Sequence, residues 1–380
     1  MDSDLRNPNG RLERLFMDDE KRSAFQKAVF DGIGQYPVID PVTSFGSGSL
    51  RLVFSTEKPS EKFEKTIGQE FISYIDRSTP AGNVSDGYNA YVGMLGAIYS
   101  SDNQAVLIDE PEAFLHPTLA RSLGRQIARR AANMHVFVAT HSSDFLMGAI
   151  EAGVDVRIVR LQFNEGVATA CLLDSSDLDS FMTDPLLRSS NVMSGLFSKF
   201  VIVAEADSDR AFYQEINARL VSSKDARGID GTVFLNAQNK HTVRRIVGML
   251  RRMGVPTLGV LDLDFVSDGG QNWSALADSL RIPSAMKQSL EIARKVTFDN
   301  LRKISTDDDR KNYKTKGGMD LLQNGEREAA EEFLSSLFRY GLAVVPIGEV
   351  EAWLGDLEVS RGKRSWLNDI FDKMGAKLSS

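Results

Sequence analysis

Apolar and polar positions alternate along this chain in two recurring textures. Short runs rich in β-branched and aromatic residues (Ala105–Ile108, His135–Thr140, Val156–Leu161, Phe200–Ala204, Thr232–Leu235 and Thr257–Leu261) read as buried strands. Between them lie helical stretches, Thr118–Ala132, Asp207–Val221 and His241–Met253. In the first, Leu119, Leu123, Ile127 and Ala131 form one apolar ladder along a helix face. Buried strands alternating with helices predict parallel sheets covered on both faces. Before Ala105 the texture is mixed: Leu15–Ile33 and Glu61–Arg77 read as helices, Ser44–Ser49 as a turn and Leu50–Ser55 as a strand. Leu342–Pro346 is a further strand.

Two stretches interrupt the pattern. Residues 173–198 are rich in Ser and Asp, contain Pro185 and lack a strong period, so they read as a linker. Residues from about 270 to 340 are polar and helical in pattern and sit between two strands, as a helical insertion would. The expected organisation is an α/β domain over 1–172, the linker, and a second α/β domain over 199–380.

Composition narrows the class. With 42% hydrophobic and 26% charged residues, the chain has the balance of a folded protein rather than a disordered one. Lys plus Arg total 45 against 52 Asp plus Glu, a net charge of −7. That argues against nonspecific coating of nucleic acid, but not against a local site handling phosphates through metal ions. The one cysteine, Cys171, excludes an internal disulfide framework and suits a reducing compartment. No apolar run approaches the roughly 18 residues of a spanning helix, and the polar start, Met1–Arg14, is unlike a secretory signal. A soluble cytoplasmic protein without a membrane partner is expected.

The candidate chemistry falls into two constellations. In the first, Ala105–Ile108 runs into Asp109 and Glu110, adjacent carboxylates at a strand end, where one can help hold Mg²⁺ and the next polarise a water. A second strand ends at His141, placed to reach a phosphate on the same edge. Upstream, Ser85 and Gly87 open a helix whose free N–H groups form an anion site. In the second constellation, the strand Phe200–Ala204 ends in Glu205, and Asp209 follows on the next helix. Thr257–Leu261 leads into Asp262 and Asp264, which on an extended chain share a face. The last strand is followed by Glu349 and Glu351. Two carboxylates about 4 Å apart repel by roughly 4 kcal/mol at an effective dielectric of 20, which a cation relieves. Hard oxygen ligands select Mg²⁺ or Mn²⁺. Two basic stretches, one including Arg219, Arg227, Lys240, Arg245 and Arg252, the other Arg294, Lys295, Arg302 and Lys314, read either as solvated faces or as a grip on a DNA backbone beside the acids.

The first constellation resembles the ABC-type ATPases, in particular the branch found in overcoming-lysogenization-defect (OLD) nucleases. Ser85-Asp-Gly87 is similar to the signature motif, Asp109 and Glu110 to the Walker B carboxylates, and His141 to the switch histidine. Glu112-Ala-Phe-Leu-His-Pro117 is similar to the segment that follows Walker B in this branch, although His116 alone reads as a capping residue. No G-x-x-x-x-G-K-[ST] loop occurs, and Gly46-Ser-Gly48 is the nearest Gly-rich stretch. The resemblance therefore covers the later lobe of the cassette. ATP is expected only if that loop is supplied from elsewhere, and ATPase activity of this chain alone is not expected.

The second constellation resembles the Toprim domain of OLD nucleases. Glu205-Ala-Asp-Ser-Asp-Arg-Ala-Phe-Tyr213 follows its first motif, with Ala206 where Gly is usual, and Asp262-Leu-Asp264 is similar to its paired-Asp motif. The resemblance implies a Rossmann-like parallel sheet and metal ligands at Glu205, Asp209, Asp262, Asp264, Glu351 and Glu349. It also implies a transition-state lysine, for which Lys363 is the match. It further implies two-metal cleavage of DNA phosphodiesters, a homo-oligomer, and a role in phage defence or DNA repair. The rival reading is a non-catalytic subunit that binds a complete ATPase partner.

Overall fold

A computed structural model of the chain describes residues 10–41, 50–60, 68–173, 177–178, 183–189, 191–304, 312–360 and 365–375. The chain divides into two compact units, Met1–Val156 and Arg157–Ser380. Both mix helices with strands, as the alternating texture predicts.

The first unit contains α1 (Arg11–Met17), α2 (Asp19–Ile33), β1 (Tyr36–Asp40), β2 (Arg51–Ser55), α3 (Gln69–Arg77), β3 (Thr79–Pro80), α4 (Asp86–Tyr99), β4 (Ala105–Asp109), α5 (Pro117–Arg130), β5 (His135–Ala139) and α6 (Ser143–Glu151). The expected first helix is broken at Asp18, whose carboxylate accepts the Lys21 N–H and restarts the helix as an N-cap. The antiparallel β1–β2 pair separates two cores: Val38, Val53, Phe71, Tyr74 and Ile75 lie in one, Ile39 and Phe54 in the other. The larger core joins Leu15, Phe25, Tyr91, Leu95, Leu123 and Phe145. The α5 and α6 helices approach backbone to backbone, because a Cβ on Gly148 would stand 1.8 Å from the Arg121 carbonyl oxygen. Glu151 then accepts hydrogen bonds from both Arg121 and Arg125.

β4 and β5 form a two-stranded parallel sheet with Asp109 opposite Ala139. The expectation that every such strand is covered on both faces fails here. Leu107 and Phe137 are opposite one another and are 83% and 61% exposed. Burial along β4 and β5 alternates, so helices cover only one face of this pair.

The second unit starts with an antiparallel hairpin, β6 (Val159–Asn164) and β7 (Val167–Leu172), where a parallel strand was expected. Arg160 ties the hairpin to this unit by donating to the carbonyls of Leu196, Met253 and Gly254. The stretch read as a linker holds α7 (Pro185–Ser189) and a 3₁₀ turn, with Leu187, Val192, Met193 and Leu196 buried. There follow β8 (Phe200–Ala204), α8 (Asp207–Ser222), β9 (Thr232–Asn236), α9 (Lys240–Arg252), β10 (Thr257–Asp262), α10 (Gln271–Ser279), α11 (Ser284–Ile304), α12 (Asn312–Thr315), α13 (Asn324–Arg339), β11 (Leu342–Val345) and α14 (Trp366–Met374). The four strands β11-β10-β8-β9 form one parallel sheet. The segment from α10 to α13 is helical and lies between β10 and β11. Phe212, Val350, Trp366 and Ile370 form a further core, which fixes α8 against the segment after β11. Among the described residues, no helix is long and apolar enough to cross a membrane.

Candidate functional site

In a parallel sheet all strand C-termini lie on one edge, and a strand flanked on both sides gathers its neighbours' ends around its own. Here β10 lies between β8 and β11, and β8 between β10 and β9. Glu205 follows β8, Asp262 ends β10 opposite Val345 of β11, and Glu349 and Glu351 follow β11. Three chain segments thus carry carboxylates to one rim.

Asp262 and Asp264 reach it by a route the sequence reading missed. Asp262 is the last extended residue, and Leu263–Ser267 is a 3₁₀ turn, so the two do not share a face through strand alternation. The turn is held by the Leu263 N–H, which donates to the Gly348 carbonyl at 2.9 Å. Both carboxylates still act on Glu205. Burial, then Asp262 and Asp264, raise the Glu205 carboxyl from 4.5 to about 7, and Lys314 and Lys240 only partly offset this. Glu205 Oε2 is buried and has no hydrogen-bond partner among the described residues.

Asp209 sits at the start of α8. It accepts the Ala206 N–H at 3.2 Å and the Ser208 hydroxyl at 3.3 Å. Burial, Asp262 and Glu351 nevertheless raise it to about 6. Glu349 and Glu351 are both buried. Burial and the neighbouring Asp209, Asp262 and Glu351 also raise the Tyr213 hydroxyl.

Two lysines enter this acidic rim. Lys314 Nζ lies 2.6 Å from Asp262 Oδ2, and Lys240 Nζ lies 3.7 Å from Asp264 Oδ2 and 3.1 Å from Asp268 Oδ1. The Lys314 ammonium is desolvated, which alone would lower its pKa. Its bond to Asp262 and the charges of Asp264 and Glu205 outweigh this and raise it. Beside it, the Tyr313 hydroxyl is buried without a partner among the described residues, and burial and Asp264 push it up to about 12. Lys314 belongs to the basic stretch expected to grip a DNA backbone; its ion pair with Asp262 instead places it among the acids.

The donor set suits a hard divalent cation. It consists of carboxylate oxygens, one of them an orphaned buried atom, and their mutual repulsion persists with both lysines present. As the side chains stand, no three His, Cys, Asp or Glu among the described residues converge closely enough to hold an ion. Lys363 lies outside the described residues.

Most cations of the first basic stretch are engaged within the fold. Arg219 pairs with Glu215 and the carbonyls of Met374 and Gly375. Arg245 pairs with Asp184, Arg252 with Asp177, and Arg227 with Asp225. In the second stretch, Arg294 is buried and donates to Val266 O and to Glu291. These side chains fix loops and helix ends; the alternation of charge in sequence does not separate them from a free surface.

In the first unit, Glu110, Glu112 and His141 come together. His141 Nδ1 lies 3.4 Å from Glu110 Oε1 and 3.5 Å from Glu112 Oε1. The buried Glu112 accepts the Thr140 hydroxyl at 2.6 Å and the His141 N–H at 3.1 Å, so it fixes the turn carrying His141. Glu110 follows Asp109 with φ of 44°, a left-handed turn that swings its side chain off the strand. Ser85 caps α4 by accepting the Tyr88 N–H at 3.3 Å. A Cβ on Gly87 would stand 3.1 Å from the Phe114 carbonyl, so the start of α4 abuts the loop after β4. His116 caps α5. Gly46 and Gly48 lie outside the described residues.

Comparison with known proteins gives a consistent picture. An AAA domain family (AAA_21) matches residues 7–148, and the family "Overcoming lysogenization defect protein-like, TOPRIM domain" matches residues 196–264. The Old nuclease of Escherichia phage P2 is 23% identical over 290 residues, covering 72% of this chain and 47% of that protein. The chain thus spans about half the length of this curated relative. Two solved structures share partial likeness. One, from work on ATP-driven dimerization and DNA-stimulated activation of SMC ATPases, is 14% identical, covers 45% of this chain and 92% of that chain, and has a TM-score of 0.32. The other, an SMC head bound to the C-terminal winged-helix domain of ScpA, is 15% identical, covers 43% and 44%, and has a TM-score of 0.31. The two family matches, in this order along one chain, make its architecture similar to the ATPase–Toprim arrangement of the OLD family.

Proposed function

We propose that this chain is a nuclease that cleaves DNA phosphodiesters with divalent metal ions at the rim formed by Glu205, Asp262 and Asp264. The observation that carries this reading is the delivery of those carboxylates from two strand ends to one sheet rim, where Asp262 and Asp264 raise Glu205, with Glu205 Oε2 buried and unpartnered among the described residues. Uncompensated buried acids are costly unless a cation binds them. Asp209, Glu349 and Glu351 complete the donor set, and two ions suit its number of oxygens. When bound, such ions would supply an activated water and neutralise the leaving oxygen. The side chains of this chain would place the ions, hold the scissile phosphate against the rim and exclude bulk water through the buried turn Leu263–Ser267. Lys363 would stabilise developing charge.

In this reading the first unit regulates the nuclease. Ser85, Gly87, Asp109, Glu110 and His141 would meet nucleotide if a phosphate-binding loop is supplied, and Glu112 would hold His141 in position. A homo-oligomer or a complete ATPase partner would provide that assembly, in a cell compartment that holds DNA, the cytoplasm.

The test uses supercoiled plasmid with Mn²⁺ or Mg²⁺, against chelator and against Asp262→Ala. Metal-dependent nicking that is lost in Asp262→Ala is expected, by a factor of at least about 100 for removal of a metal-holding group. Metal-independent nicking, or full activity in Asp262→Ala, would refute the reading. Absence of any nicking would instead favour the non-catalytic ATPase-binding subunit.

A further inference from the structure

We propose that Lys314, carried by the helical insertion, is a tethered counter-ion that competes with a divalent cation for Asp262. The inference rests on the metal-dependent reading above and deepens it, since it says what sets the metal concentration at which the rim loads.

The placement of Lys314 is built rather than incidental. Lys314 and Asp262 are only 18% and 15% exposed, and their charged atoms lie 2.6 Å apart. The neighbouring Tyr313 is 1% exposed, which anchors the short helix α12. The segment is then locked onto the loop after β11. The Met319 N–H donates to the Pro346 carbonyl at 2.8 Å. Gly348 adopts φ of +111°, and a Cβ there would stand 1.9 Å from the Lys314 carbonyl oxygen. Only a glycine lets the two backbones meet so closely. The same loop carries Glu349 and Glu351 and accepts the Leu263 N–H, so the lysine and the carboxylates share one scaffold.

An ammonium ion held this way does part of a metal ion's electrostatic work but accepts no ligands in return. It draws Asp262 toward itself, and with it in place no three acids among the described residues converge as ligands. A lysine is a flexible point charge on a four-carbon stem, so it can withdraw without moving its backbone. A divalent ion must therefore displace one local positive charge to gain Asp262. Lys240 does not substitute, because its closer partner is Asp268.

The experiment is manganese binding to the full chain, followed by electron paramagnetic resonance of free Mn²⁺, for the wild type, Lys314→Met and Lys314→Arg. Methionine keeps the apolar stem and removes the charge; arginine keeps the charge. Lys314→Met is expected to bind Mn²⁺ about tenfold or more tightly than the wild type, because its competitor is gone. Lys314→Arg is expected to stay within about threefold of the wild type. Equal or weaker binding by Lys314→Met, with Mn²⁺ still bound by the wild type, overturns the inference and leaves the nuclease reading standing. No Mn²⁺ uptake by any of the three proteins overturns both.

Discussion

Glu205→Gln isolates the electrostatic strain at the rim. The Glu205 carboxyl is raised from 4.5 to about 7 in the folded chain. A raised acid binds its proton more tightly when folded, so it favours the folded state at low pH. That contribution fades as pH rises from the unfolded value through the folded one. At about 1.4 kcal/mol per pH unit, the full cost of ionising Glu205 in place is about 3 kcal/mol, most of it incurred between pH 5 and pH 8. Glutamine has nearly the same shape and no charge to lose. In chelator, the stability of Glu205→Gln relative to wild type should therefore rise by about 2 kcal/mol between pH 5 and pH 8. That is roughly 4–8 °C in melting temperature for a unit of this size. Any pH-independent cost of burying the amide cancels in this comparison. With Mn²⁺ at pH 8 the order should invert, because the wild type gains the ion's binding energy and the variant gains less. Differential scanning calorimetry in the two buffers, with and without Mn²⁺, measures both effects. A stability difference that does not change with pH would show that Glu205 is not held against its neighbours.

Two further substitutions test the first unit. Gly148→Ala places a Cβ 1.8 Å from the Arg121 carbonyl oxygen, and the forced separation of α5 from α6 should cost about 1–3 kcal/mol in urea unfolding. Thr140→Val removes the hydroxyl that donates to Glu112 at 2.6 Å. It should lower stability by about 1–3 kcal/mol, with faster hydrogen exchange at the His141 amide, which bonds the same carboxylate.

How much of this was legible in the sequence depends on what each feature leaves as a local trace. Acids at the ends of apolar strands are visible because a parallel sheet puts all such ends on one edge; Glu205 and Asp262 needed only that rule. The route of Asp264 differs from the expected extended one, since the chain leaves the strand one residue after Asp262, and the turn-favouring Asp264 and Ser267 are set among apolar residues that read as a continuing strand. Lys314 was invisible as a site residue. It meets Asp262 from some fifty residues further along the chain, and its immediate neighbours look like any solvated basic stretch. Arg294 shows the same blindness, since a buried arginine bonded to a carbonyl has the same sequence signature as an exposed one. The helical ladder of α5 was legible. The one-sided covering of β4 and β5 was not, because a short apolar run reads as buried whether or not anything lies against its outer face.

The position of β11 bears on the timing of synthesis. Asp262 pairs in register with Val345, yet the whole insertion is translated between them. Closing so long a loop is slow compared with the local pairing of β8 and β9. A ribosome that has released Glu205, Asp262 and Asp264 has still to make Glu349 and Glu351, so over that interval the nascent rim carries only part of its acids. The rim is thereby left unfinished until the last strand of its own sheet and the loop behind it have been made.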